Sequence, residues 1–122
     1  LITHFKDTGR NPSYYDGIFT GDLGTIGKEI LTELALTKGY NIKNNYDDCG
    51  VLMFDRKRQD VHSGGSGCAC IATIFSGYLF NKLKQKEYNK ILLIATGALT
   101  NSTTAQQGES IPGIAHAISI EF

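Results

Sequence analysis

The alternation of apolar and polar residues divides this chain into segments of different period. Residues 14–20 (YYDGIFT) are rich in aromatic and β-branched side chains and predict a strand. Gly21 and Asp22 then turn the chain, and Asp22 is placed to cap a helix by accepting from free backbone N–H groups. From Leu23 the apolar positions Ile26, Ile30, Leu31, Leu34 and Ala35 recur at helical spacing. Gly39 stands where a glycine would end that helix, and Lys38 suits the negative end of its dipole. Residues 40–50 are rich in Asn and Asp and predict a polar loop. The apolar run 51–54 fits either a strand or a helical turn.

Residues 55–67 are polar and then glycine-rich. A second amphipathic helix is predicted over residues 67–83, with Ile71, Ile74, Phe75, Tyr78, Leu79 and Leu83 on one stripe. Small residues at its start (Ser66, Gly67, Ala69 and Ala72) permit close approach by a neighbouring backbone. Lys82, Lys84, Lys86 and Lys90, interleaved with Gln85, Glu87 and Asn89, predict a solvated helix end. Residues 91–96 (ILLIAT) are continuously apolar, the pattern of a central parallel strand buried on both faces. A polar loop over 97–112 and an alternating strand over 113–122 follow, while residues 1–13 predict a connector. The order β-α-(β)-α-β-β predicts an α/β fold with a mixed sheet.

Composition narrows the function classes. The 122 residues suffice for one domain with its own core. At 41% hydrophobic and 20% charged residues, the chain is neither disordered nor a coiled coil. Its 12 basic and 12 acidic side chains cancel, which argues against a nucleic-acid binder. No apolar run approaches the roughly 18 residues of a membrane span, and no signal-peptide pattern opens the chain. The start at Leu1 and the mid-chain character of residues 2–7 suggest a piece of a longer polypeptide. Three cysteines (49, 68 and 70) without a disulfide framework favour a reducing compartment.

The densest chemical signal is DVHSGGSGCAC, residues 60–70. A glycine loop running into a helix presents unpaired N–H groups and the positive dipole end, which suits an anion. His62 just before it can donate to a carboxylate or act as an acid or base near neutral pH. The alternative is that the glycines only allow tight helix packing and His62 faces solvent. No Gly-Lys-Ser/Thr is present, so this is not a P-loop. Cys49, His62, Cys68 and Cys70 make a poor zinc set, because residues two apart on a helix point about 200° around the axis. Cys68 is expected to pack as a small buried hydrophobe, with a nucleophilic thiol as the alternative. His116 is expected within the last strand. Gln106, Gln107, Glu109 and Ser110 are expected in a polar loop before Pro112 that either lines a pocket or is an exposed turn, and Asp47 and Asp48 are expected to face water.

Several segments together resemble a known family. These are residues 15–24 (YDGIFTGDLG), 46–50 (YDDCG), 59–70 (QDVHSGGSGCAC), 94–99 (IATGAL) and 106–117 (QQGESIPGIAHA). Their sequence and order resemble the C-terminal half of the stage V sporulation protein AD family of spore-forming bacteria. The resemblance implies residues 14–122 as the C-terminal half of a thiolase-like α/β fold, with a five-stranded mixed sheet and packed helices. It implies binding of dipicolinic acid, with calcium, and support of its uptake into the developing spore. It further implies a peripheral place at the spore inner membrane beside other stage V sporulation proteins, and an N-terminal thiolase-like half in the same polypeptide. It implies no cofactor and leaves a homodimer open.

The thiolase loop H-P-x-G-x-S-G is similar to residues 62–67, which are one residue shorter and lack the proline. His62 therefore carries over as a donor to a ligand carbonyl or carboxylate. Asp22 stands near the position of the thiolase Asn, and cannot supply the same amide donor. Ile111, Pro112 and Gly113 occupy the stretch of the thiolase general-base Cys, and the acyl-accepting Cys belongs to the other half. The resemblance thus implies a non-enzymatic ligand pocket that includes His62, Gly64, Gly65, Ser66, Gly67, Asp22, Pro112 and Gly113. The alternative readings are an acyltransferase half acting on coenzyme A or carrier-protein thioesters, and a scaffold with a vestigial pocket.

Overall fold

The computed structural model describes residues 1–98 and 101–122. Leu99, which ends one of the resembling segments, and Thr100 lie outside the described residues, as does that part of the expected loop 97–112. The elements in chain order are α1 (Ile2–Thr8), a 3₁₀ turn (Pro12–Tyr14), β1 (Gly17–Thr20), α2 (Gly24–Thr37), β2 (Tyr46–Asp48) and α3 (Cys49–Leu52). Then α4 (Cys70–Ile74), a π-helical turn (Phe75–Leu79) and α5 (Phe80–Lys84) run on without a break. β3 (Lys90–Ile94), α6 (Ser102–Gln106) and β4 (Ala117–Glu121) complete the chain.

The sheet has the order β2-β1-β3-β4, with β1 parallel to both β2 and β3, and β3 antiparallel to β4. The mixed α/β architecture is as the pattern predicts, with four strands in this sheet rather than five. Residues alternate across β1 and β3 as strand geometry requires. Ile18, Leu92 and Ile94 pack on one face with Phe5, Ala35, Ile42 and Tyr46. Phe19, Ile91 and Leu93 pack on the other with Cys70, Ile74, Leu79 and Leu83. The continuous apolar run in β3 is therefore a strand covered on both sides.

Several expectations need correction. The expected connector contains a helix, and its Phe5 is 1% exposed in the first core layer. The polar stretch 40–50 contains β2, an edge strand too short to show alternation. The undecided run is the end of a helical turn, α3. In α2 only part of the expected stripe faces inward. Ala35 is buried and Leu31 packs on the core, whereas Ile26, Ile30 and Leu34 are exposed at 63%, 52% and 56%. On the long helix the inward positions are Cys70, Ile74, Leu79 and Leu83. The five-residue step from Ile74 to Leu79 is taken up by the π turn, and this leaves Tyr78 exposed. The last strand begins at Ala117 instead of Gly113, so exposed His116 precedes it. The expected loop 97–112 contains α6, capped by the Asn101 side chain.

Candidate functional site

Thr20, Asp48 and Ile94 stand side by side at the carboxyl ends of the parallel strands, and Ala117 starts β4 beside them. The connection from β1 leads to β2 on one flank, and that from β3 leads to β4 on the other. The strand order thus reverses between β1 and β3. In open α/β sheets such a reversal opens a crevice beyond the strand ends, where ligands bind. Gly21 and Asp22 leave β1 into this crevice, and Ala95, Thr96 and Gly97 leave β3 into it.

Asp22 does not cap α2 as expected. Helix α2 has no side-chain cap from its flanking residue Leu23, and Asp22 Oδ1 instead accepts from the Thr96 hydroxyl across the crevice. Beside this pair lies a cavity of about 300 Å³, walled by Thr20, Leu23, Leu31, Ile94, Thr96 and Ala115. Pro112 belongs to an adjoining open groove with Gly97, Ala98 and Ile114. Gly113 pairs with Ala98 in an isolated bridge, and Ile114 N donates to Gly97 O at 2.9 Å. A Cβ on Gly97 would overlap the Ile114 carbonyl, so only glycine permits this closure.

The glycine loop reaches the same end by backbone contacts. Thr25 N donates to Ser63 O at 2.8 Å, and Gly65 N donates to Gly50 O at 2.7 Å. A Cβ on Gly50 would collide with the Gly65 carbonyl, and one on Gly64 would lie 2.6 Å from Gly50 O. Gly64 and Gly65 thus serve close packing, while Ser66 and Gly67 are exposed. The following helix begins at Cys70 rather than Gly67, and its flanking residue Ala69 supplies no side-chain cap. His62 is exposed, with φ 49°, in the left-handed region that non-glycine residues enter at a cost. Its imidazole makes no hydrogen bond among the described residues. Asp22, Pro112 and Gly113 therefore join one crevice, and the 62–67 loop packs on the starts of α2 and α3 at the same end of the sheet.

The residue that sequence reasoning passed over is Asp48, expected in water and found 0% exposed. Its Oδ2 accepts from Thr20 Oγ1 at 2.7 Å and Leu23 N at 2.9 Å. Its Oδ1 accepts from Gly24 N and Gly50 N at 3.0 Å, and from Val51 N at 3.3 Å. The available signal was an Asp directly before a short, small-residue run, the preferred composition of a helix cap. Neighbouring Asp47 is half-buried and pairs with Lys28 at 2.7 Å.

The thiols also depart from expectation. Cys68 is exposed, whereas Cys49 and Cys70 are buried. Burial, with the Asp48 carboxylate beside it, pushes the Cys49 thiol up to about 12. The Cys70 Sγ lies 4.0 Å from Met53 Sδ in the second core layer.

Comparison with known proteins adds a family to this geometry. The model of the family described as Stage V sporulation protein AD matches residues 1–121. The chain is also similar to a curated relative, Stage V sporulation protein AD of Bacillus subtilis (strain 168). The two are 42% identical over 118 residues, which cover 97% of this chain and 35% of the relative. The chain thus spans about a third of that relative's length.

Proposed function

The chain belongs to the stage V sporulation protein AD family, and we propose that it forms one side of a non-enzymatic pocket for dipicolinic acid, supporting its uptake into the developing spore. The observation that carries this reading is the crevice at the strand-order reversal, with Asp22 and Thr96 in it and the 62–67 loop at the same end of the sheet. Leu23, Leu31, Ile94 and Ala115 offer an apolar wall to a planar ring. The His62 imidazole and the exposed amides after Gly65 supply donors for carboxylate oxygens, while the Thr96 hydroxyl proton is held by Asp22.

Asp22 decides the form of the ligand. A carboxylate in the crevice repels a free dianion, but it attracts the calcium of a chelate. Calcium dipicolinate is therefore the species proposed. The remaining contacts come from the rest of the polypeptide, most of which lies outside this segment.

Two of the three thiols are withdrawn from chemistry: Cys49 and Cys70 are buried, and burial raises the Cys49 pKa. This leaves exposed Cys68 as the thiol an acyl-transfer reading would have to use. A peripheral position at the spore inner membrane, held by other stage V sporulation proteins, belongs to the same proposal. Among the described residues no helix is long and apolar enough to cross a membrane.

Calorimetric titration of dipicolinate into the full-length protein, with and without calcium, tests the reading. Saturable binding that needs calcium and weakens at least tenfold in His62→Ala is expected. Failure to saturate, or identical binding by His62→Ala and Asp22→Asn, would refute it. Incubation with a thioester probe is expected to leave the protein mass unchanged, and a stable adduct on any cysteine would favour the acyltransferase reading instead.

A further inference from the structure

We infer that Asp48 is a positioning residue for the ligand crevice: one buried carboxylate fixes the starts of α2 and α3, and through them the place of the loop that carries His62. The exchange arm of the test below stands on the geometry alone, and only the affinity arm depends on the dipicolinate reading.

The five donors to Asp48 come from three elements. Thr20 ends β1, Leu23 and Gly24 open α2, and Gly50 and Val51 open α3. Among the described residues no cation pairs with Asp48. Its charge is answered by amide groups at two helix starts, where the backbone dipoles favour an anion. Tyr46 completes a relay on the strand side. Since the Thr20 hydroxyl donates to Asp48, the Tyr46 hydroxyl 2.8 Å away must donate to Thr20.

Each captured helix start also grips the glycine loop. Thr25, next to Gly24, holds the Ser63 carbonyl. Gly50, whose amide Asp48 binds, uses its carbonyl to hold Gly65. The clamps fall on either side of Gly64, and His62 directly precedes the first of them. A shift of either helix start therefore moves the loop, and this route does not depend on direct contact between Asp48 and ligand.

Asp48→Asn separates positioning from general stabilisation, because it keeps the size of the side chain but replaces one acceptor oxygen with a donor. In the full-length protein, hydrogen exchange at the Thr25 and Gly65 amides is expected to quicken at least tenfold. The β3 amides of residues 91–94 are expected to keep the wild-type rate, and calcium dipicolinate affinity to fall at least fivefold. An unchanged loop, or an equal rise at the loop and β3, would overturn the inference, since the latter marks a global stabiliser. If Asp48→Asn does not fold, Thr20→Val removes one donor to the same carboxylate. It should give the same pattern at lower amplitude, and a uniform rise would again overturn the inference. If the wild-type protein binds no dipicolinate, the proposed ligand fails while the exchange pattern still decides the role of Asp48.

Discussion

The two ends of the sheet are closed by different means. At the amino ends of the parallel strands, long side chains meet near the surface. Arg10 donates to the Tyr15 hydroxyl at 3.1 Å and to the Ser119 hydroxyl at 3.0 Å, and pairs with Glu121 at 3.1 Å. The Tyr14 hydroxyl donates to Glu121, and the Tyr14 ring lies 4.3 Å from both the Arg10 guanidinium carbon and Lys90 Nζ. At the carboxyl ends, closure is by backbone against backbone, at Gly50 with Gly65 and at Gly97 with Ile114, around one buried carboxylate. Flexible side chains can give way when one is altered, whereas opposed backbones cannot. The end that leaves a crevice is thus the end with the least freedom to adjust.

The largest effect should come from adding one methyl group there. Gly50→Ala places a Cβ against the Gly65 carbonyl, with Asp48 Oδ1 3.0 Å away on another side. Neither group is the free end of a flexible chain, so relief requires moving the loop or α3. Overpacking of this kind costs about 3 kcal/mol, and denaturant unfolding of the full-length protein measures it. A loss below about 1 kcal/mol would show that the carboxyl end yields as readily as a surface contact.

How much of this was legible in the sequence follows the same division. The 3.6-residue and continuous apolar patterns located α2, the 70–84 helix and β3, because those elements are long enough to carry a period. The two-faced burial of β3 followed from ILLI alone. The motif resemblance singled out Asp22, Pro112, Gly113 and the 62–67 loop as candidates before any coordinates. What escaped was short or non-local. Strand β2 has three residues, and its place beside β1 depends on pairing partners far along the chain. Asp48 looked like a solvated acid because three of its five donors, Thr20, Leu23 and Gly24, lie more than twenty residues away and only folding brings them to it. Helix α2 misled in the opposite sense, since its Ile26, Ile30 and Leu34 stripe has the spacing of a core face and lies exposed. Periodicity shows that a helix has an apolar face, and does not say which neighbour covers it.

A smaller effect should appear at alkaline pH, and again at the rigid end. The folded Cys49 thiol is raised from 9.0 to about 12, first by burial and then by the Asp48 charge. The fold therefore disfavours the thiolate, and the unfolded chain ionises first. The stability this contributes is fully present below pH 9 and is lost progressively as pH rises toward 12. Tyr46, also pushed up by burial, adds a loss of the same sign at higher pH. Cys49→Ala should flatten the decline between pH 9 and 11, as measured by urea midpoints across that range. An unchanged slope would remove Cys49 from the account.

The smallest effect belongs to the other end. Arg10→Gln removes the ion pair with Glu121 and the charge over the Tyr14 ring, but leaves a stem that can pack on that ring. The Arg10 and Glu121 side chains are 30% and 42% exposed, so water already screens their attraction and can replace either partner. At about 0.1 M salt the Debye length is about 10 Å, and at 1 M about 3 Å, so most of the remaining electrostatic difference should disappear on adding salt. The melting temperature of Arg10→Gln is therefore expected to lie slightly below that of the wild type at low salt and to approach it at 1 M. A salt-independent fall as large as that of Gly50→Ala would mean that the Arg10 cluster holds the fold through packing and directed hydrogen bonds. The contrast between a yielding end and a rigid one would then fail, because both ends would be fixed by contacts that cannot be exchanged for water.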